Sequence, residues 1–135
     1  MNKVKRLLKD KGNVVWSVPV TATALDAVLL MADKNIGAVM VLDGDNLAGI
    51  FTERDFAYKI GCFEKAAHEI LITEVMTPDP LTITPAHSVN DCMALMTDNH
   101  FRHLPVIEHG KLVGVISIGD VVKDLIEELQ FMVEQ

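Results

Sequence analysis

Gly49-Ile50-Phe51-Thr52-Glu53-Arg54-Asp55 returns 65 residues later as Gly114-Val115-Ile116-Ser117-Ile118-Gly119-Asp120. Each string runs glycine, two apolar residues, a hydroxyl, two variable residues, aspartate. The apolar pair predicts the end of a strand. The hydroxyl with a carboxylate three residues on predicts a capped helix start. Both strings therefore mark a strand-to-helix junction.

Working outward at the same offset, residues 17–55 lie on residues 82–120 without a gap, and eight of these 39 positions are identical. The identities are Asp26/Asp91, Leu30/Leu95, Met31/Met96, Asp33/Asp98, Val41/Val106, Leu47/Leu112, Gly49/Gly114 and Asp55/Asp120. Each copy begins with an extended piece at residues 14–18 or 81–83. A helix then opens at Thr23 or Ser88, with Asp26 or Asp91 at its third position. Ala27, Val28, Leu30 and Met31 give it an apolar face. Two strands follow, at residues 38–42 and 47–51 in one copy and 104–107 and 112–117 in the other. Asp43-Gly44-Asp45-Asn46 and Glu108-His109-Gly110-Lys111 join them as hairpins. The second helix opens at Thr52 or Ser117. The predicted class is α+β, built from two β-α-β-β-α repeats.

A unit of ~60 residues is marginal alone, so the two copies are expected to pack as one domain with pseudo-two-fold symmetry through their sheets. The predicted organisation is a basic helix over 1–13, repeat one over 14–62, a connector over 63–78, repeat two over 79–129 and a helix end over 130–135. A short helix is expected near residues 64–71, in a bridging segment that ends at Met76-Thr77-Pro78-Asp79-Pro80, where the prolines block helix continuation.

The chain has 135 residues and a formal net charge of -7. The acidic balance argues against bulk nucleic-acid binding. Lys3, Lys5, Arg6, Lys9 and Lys11 make the start basic. That segment reads first as a solvated amphipathic helix with Val4, Leu7 and Leu8 inward, and second as an anionic-ligand or RNA contact. No apolar run approaches a membrane span, and no signal peptide is seen. Cys62 and Cys92 read as buried reduced thiols of a cytoplasmic protein. Met76, Met93 and Met96 read as core.

The strand-to-helix junctions are also the candidate site. Helix starts after strands favour anions, hydroxyls donate to phosphate, and a carboxylate accepts from two ribose hydroxyls. The bland reading is that Thr52/Asp55 and Ser117/Asp120 are helix caps alone, as Thr23/Asp26 and Ser88/Asp91 are expected to be.

These strings, with Asp26-Ala27-Val28-x-x-Met31, Asn35-Ile36-Gly37-Ala38, Val75-Met76-Thr77 and His103-Leu104-Pro105-Val106, resemble a tandem pair of CBS domains, also called a Bateman module. The resemblance covers residues 14 to about 129. It implies two clefts between the halves that bind adenosine-containing ligands (AMP, ADP, ATP or S-adenosylmethionine), no required cofactor, and regulatory sensing rather than catalysis. It also implies that Asp55 and Asp120 bind ribose, and that Thr52 and Ser117 contact phosphate or ribose. Arg102 and His103 match phosphate-reaching positions, which Gly37 and Ala38 occupy in the first copy. By the family's crossed arrangement, Arg102, His103, Thr77 and Leu81 are expected to serve the Asp55 cleft. Trp16 and Lys11 are expected to serve the Asp120 cleft, where phosphate binding is less favoured. Ile36, Gly37 and Ala38 leave room for an adenine edge. Arg102 and His103 also read as solvated surface, and Trp16 equally as core or adenine platform.

A metal set from His100, His103 and His109 is set aside, because the first two span a helix end and the third sits in a turn. No catalytic triad, P-loop or dinucleotide fingerprint occurs, so no enzyme is expected. Any signal would pass to an unidentified partner protein. The apolar residues Val121, Val122, Leu125, Leu129 and Met132 exceed what a half-domain needs and point to a homodimer. The rival reading is a scaffold module whose clefts bind nothing.

Overall fold

The computed structural model describes residues 2–12 and 14–135; Met1 and Asn13, inside the predicted 1–13 segment, lie outside the described residues. The chain forms two compact units. One is Val15–Pro80 and the other joins the first helix to Leu81–Gln135.

In the Val15–Pro80 unit, β1 (Ser17–Pro19) runs parallel to β2 (Ala38–Asp43), which is antiparallel to β3 (Asn46–Thr52), which is antiparallel to β4 (Thr77–Pro78). α2 (Ala24–Lys34) and α3 (Glu53–Lys59) follow β1 and β3, and α4 (Ile72–Val75) precedes β4. Ala24, Ala27 and Met31 of α2 pack against Val39, Val41 and Phe51 of the sheet, together with Ile70, Ile72 and Val75. The hairpin turn needs positive φ only at Gly44 (62°). Here the β-α-β-β-α order of the sequence is observed directly.

The other unit repeats the plan. α5 (Val89–Asn99) is followed by the hairpin of β5 (His103–Glu108) and β6 (Lys111–Ser117), and then by α6 (Ile118–Glu134). The extended piece expected at residues 81–83 is reduced to one parallel bridge, Ile83 to Val106. Its turn holds both His109 and Gly110 at positive φ (52° and 76°), the requirement of a type I′ hairpin. Cys92, Met96, Leu104, Val106, Ile116 and Val121 form the core. Val4, Leu7 and Leu8 of α1 (Val4–Lys11) complete it.

α1 and α4 play the same part in their respective units. Ile72 N donates to Ala22 O and Ala24 N to Ile70 O; Val4 N donates to His87 O and Val89 N to Asn2 O. These bonds superpose when residues 70–76 are matched to residues 2–8, an offset of 68 instead of 65. α1 lays Leu8, and the residue that caps α4 lays its side chain, on the repeat's glycine. A Cβ at Gly49 would meet Met76, and one at Gly114 would meet Leu8. Thus the second repeat is covered by the helix that precedes the first, and the first by the helix that precedes the second.

Three expectations change. Residues 64–71 hold only a single 3-10 turn, Ala67–Glu69, with the α-helical turn later at Ile72–Val75. Ile70 and Ile72 are extended or engaged in bonds to Ala22 and Ala24, which breaks any continuous helix there. Cys62 is exposed, although Cys92 is fully buried. Cys62 lies in a second 3-10 turn, Ile60–Cys62, that buries none of its residues. The α6 stripe divides: Val121 is buried and Leu125 packs against the core, while Val122, Leu129 and Met132 are exposed together with Ile118, Ile126 and Val133. The three methionines hold as core, Met96 fully buried and Met76 and Met93 partly. No helix among the described residues is long and apolar enough to cross a membrane.

Candidate ligand-binding site

The four hydroxyl–aspartate pairs all close capping boxes at Thr23, Thr52, Ser88 and Ser117. Thr23/Asp26 and Ser88/Asp91 do this on exposed helix starts. The Ser88 backbone N–H and hydroxyl hold the Asp91 carboxyl below its ordinary value of 3.8. The other two aspartates carry additional partners.

Asp55 is buried. Its Oδ2 accepts from Thr52 N (3.0 Å) and Thr52 Oγ1 (3.2 Å). Its Oδ1 accepts from Thr77 Oγ1 (3.1 Å) and pairs with Lys59 Nζ (3.0 Å). Lys59 also donates to Met76 O (3.3 Å). β4 brings Thr77 here because it pairs with Ile50, two residues before Thr52. The predicted residues Thr52, Asp55 and Thr77 thus converge.

Asp120 is built differently. Its Oδ2 accepts from Ser117 N (2.8 Å) and pairs with Lys11 Nζ (2.7 Å), and Lys11 also donates to Val115 O (2.9 Å). No hydrogen bond to Oδ1 is found among the described residues. The side chain is 25% exposed against 9% for Asp55, so its carboxylate is the more open. Burial pushes its carboxyl up, but the Lys11 hydrogen bond, the Ser117 N–H and the Lys11 charge outweigh burial and hold it below 3.8. It is ionised at neutral pH and can accept from hydroxyl donors. The predicted residues Lys11, Ser117 and Asp120 converge as well.

Lys59 was not legible as a site residue, although Asp55 and Lys59 stand four apart on α3, the spacing of a helical ion pair. The position equivalent to Lys59 is Asp124 on α6. Asp124 is buried, accepts from Asn2 Nδ2 (2.7 Å), and among the described residues leaves Oδ2 without a partner. The second copy therefore takes its cation from α1 and not from its own helix.

The remaining predicted residues divide between the units. Ile36, Gly37 and Ala38 stand beside the Asp55 junction: Ala38 pairs with Thr52, and Gly37 O accepts from Glu53 N (3.0 Å). Arg102 and His103 stand beside the Asp120 junction in the same way. His103 pairs with Ser117, and Arg102 O accepts from Ile118 N (2.8 Å). Trp16 belongs to the Val15–Pro80 unit, partly exposed, with Lys34 Nζ 4.4 Å from its ring centroid. Leu81 belongs to the other unit and is exposed. No group of three or more His, Cys, Asp or Glu able to hold a metal occurs among the described residues. Burial pushes the Cys92 thiol up to about 11, which makes it a poor nucleophile.

The CBS domain model matches twice, at residues 6–61 and 72–127. The chain is 40% identical over 122 residues to the mitochondrial CBS domain-containing protein CBSX3 of Arabidopsis thaliana, covering 87% of this chain and 59% of that protein. The chain thus spans less than two-thirds of that relative's length. A CBS-domain-containing protein from Agrobacterium tumefaciens superposes with a TM-score of 0.86 at 37% identity, over 91% of this chain and 98% of that one. CBSX2, solved in complex with AMP, shares the fold with a TM-score of 0.76 at 22% identity, over 94% of this chain and 98% of that one. Two family matches, two capped strand-to-helix junctions and two equivalent covering helices lead to one assignment: the chain belongs to the CBS domain family, as a tandem pair of CBS repeats.

Proposed function

We propose that the protein is a regulatory sensor of adenosine-containing nucleotides, of the AMP, ADP or ATP type, that signals to a partner protein and catalyses nothing. One observation carries this reading. Of the four equivalent capping boxes, those holding Asp55 and Asp120 are the ones that, among the described residues, bring a lysine onto the carboxylate. A cap needs no lysine. A carboxylate that accepts from a ribose diol, beside an ammonium that can receive phosphate, suits a nucleotide. Thr52, Thr77 and Ser117 supply hydroxyls to the same ligand. Ile36, Gly37 and Ala38 suit the adenine edge, and Trp16 suits its face. Arg102, His103 and Leu81 are assigned to phosphate and base contacts by the family's crossed arrangement alone. The AMP complex of CBSX2 supports the ligand class. S-adenosylmethionine is the other adenosyl ligand to test. A cytoplasmic setting fits the two free thiols.

Calorimetric titration with AMP, ADP, ATP, S-adenosylmethionine and NADH checks this. Micromolar binding is expected for at least one nucleotide. Asp55→Ala or Asp120→Ala should weaken it thirtyfold or more, about 2 kcal/mol for hydrogen bonds to a charged group. The scaffold reading draws on the saturation of Asp55, whose two oxygens already hold four partners within the chain. It predicts no heat with any ligand, and a cost for Asp55→Ala of only about 1 kcal/mol in stability.

The exposed face of α6 fits a homodimer. Ile118, Val122, Ile126, Leu129 and Val133 recur at intervals of four, four, three and four, and all are exposed. That is a coiled-coil-like seam. Sedimentation velocity at micromolar concentration should give a dimer, and Ile126→Glu with Leu129→Glu should give a monomer. A monomeric wild type would remove the seam's assignment.

A further inference from the structure

α1 starts without a cap of its own. Its N-cap residue is Lys3, whose ammonium has no acceptor to offer. The N–H groups of its first turn go instead to the chain just before α5. Val4 N donates to His87 O (2.9 Å) and Lys5 N to Pro85 O (3.0 Å), while Lys3 bridges Ser88. The seat of α1 is therefore only as firm as the turn from Thr84 to His87.

An imidazole holds that turn. His87 N donates to Thr84 O (3.1 Å), and in return Thr84 N donates to His87 Nδ1 (3.0 Å). A backbone N–H only donates, so Nδ1 is the acceptor and the neutral ring carries its proton on Nε2. The Thr84 hydroxyl also lies 3.0 Å from Nδ1. The first repeat makes the same turn without a histidine. At the offset of 65, Thr84 and His87 fall on Pro19 and Ala22. Ala22 N donates to Pro19 O (3.0 Å), and Ala22 O accepts from Ile72 N (2.9 Å) as His87 O accepts from Val4 N. Proline has no N–H, so that turn has no donor for an imidazole to receive. Of the two equivalent turns, the one that seats α1 is the one that depends on a titratable acceptor.

We propose that His87 is a pH-sensitive latch: the neutral ring holds the turn that seats α1, and protonation opens it. A protonated ring presents N–H at Nδ1 to the N–H of Thr84, donor against donor. The Thr84 hydroxyl can rotate to accept, but the amide cannot, and on this exposed residue it turns to water. His87 O and Pro85 O move with it, and the first turn of α1 loses its acceptors. The latch is closed while the ring is neutral and is lost as pH falls through the range in which histidine gains charge. Charges meet this turn from the elements around it. Asp91 on α5 favours the charged ring; the positive end of α5, and Lys3 and Lys5 of α1, whose backbones bond the turn, oppose it. Asp124 of α6 stands behind Asn2. Asp91 and Asp120, both held below their ordinary value, stay ionised as histidine titrates, so the Lys11 tie at the far end of α1 outlasts the latch. Acid therefore frees α1 from its N-terminal end.

Hydrogen exchange on the full chain at pH 8 and pH 5, each rate taken relative to the unfolded chain at the same pH, tests this. Protection of residues 3–8 should fall about fivefold or more at the lower pH, the loss of a hydrogen bond of ordinary strength. Residues 70–76, seated on the first repeat's turn, should keep theirs. His87→Asn supplies an acceptor oxygen in the place of Nδ1 that does not titrate, and should keep α1 protected at both pH values. His87→Ala removes the acceptor and should leave α1 weakly protected at both; it serves if the asparagine variant does not fold. Equal protection of α1 in the wild type at the two pH values overturns the latch. An acid loss in either variant as large as in the wild type overturns it too, by assigning the loss to another group.

Discussion

Phe51→Ala is expected to remove about 3–5 kcal/mol from the Val15–Pro80 unit, the range for truncating a fully buried Phe. Phe51 has no exposed surface and heads the largest fully buried side chains. It sits opposite Val39 on β2, and its neighbours in the core include Ala24 and Ala27, both without exposed surface. Loss of the ring beside side chains as small as these leaves a cavity in the core. A unit this size has only a few kcal/mol in reserve, so the variant should be largely unfolded at room temperature. Urea unfolding followed by circular dichroism would read this as a collapse of the midpoint, with Phe51→Leu recovering most of it. A loss under 1 kcal/mol for the alanine variant would contradict the packing described.

Gly49→Ala is expected to cost about 3 kcal/mol, the upper end of ordinary overpacking, and to weaken the proposed nucleotide binding with it. Its Cβ would stand 2.5 Å from Met76 Sδ and 2.8 Å from Thr77 O. The thioether can swing away. The carbonyl cannot, because it belongs to β4, which pairs with β3 at Gly49 and Ile50. Displacing β4 moves Thr77 off Asp55 and Met76 O off Lys59. Gly114→Ala is the internal control. There the three atoms nearest the added methyl all belong to the Leu8 side chain, which can yield, so the cost should be nearer 1 kcal/mol. Equal losses at the two glycines would show that the backbone is not what limits Gly49.

What could be read from the sequence was local. Hydroxyl–aspartate caps and glycine turns announce themselves within four residues, and all four caps formed as read. The CBS assignment followed because these signals recur at one offset. The equivalence of the covering helices escaped because they recur at another: α1 was legible as an amphipathic helix with Val4, Leu7 and Leu8 inward, but not as the counterpart of α4. α4 has only four residues, too few to show a period, and three residues separate its register from that of the strands. The seam on α6 was misread for a related reason. Val121 and Val122, then Leu125 and Ile126, are adjacent apolar pairs, and periodicity cannot say which member faces inward. Lys59 was missed although its spacing from Asp55 was in plain view, since the same spacing on a helix surface is usually only an exposed ion pair.

The exchange of covering helices between the repeats sets a timetable for synthesis. Everything that completes the Val15–Pro80 unit emerges in one continuous stretch. α1 emerges before it, yet Leu8 is covered only once Gly114 has been made. At about 5–20 residues per second, Val4, Leu7 and Leu8 wait on the order of 5–20 seconds without their partners. Over that interval the neighbours Lys3, Lys5, Arg6 and Lys9, all exposed in the finished fold, guard a nascent apolar stripe against association.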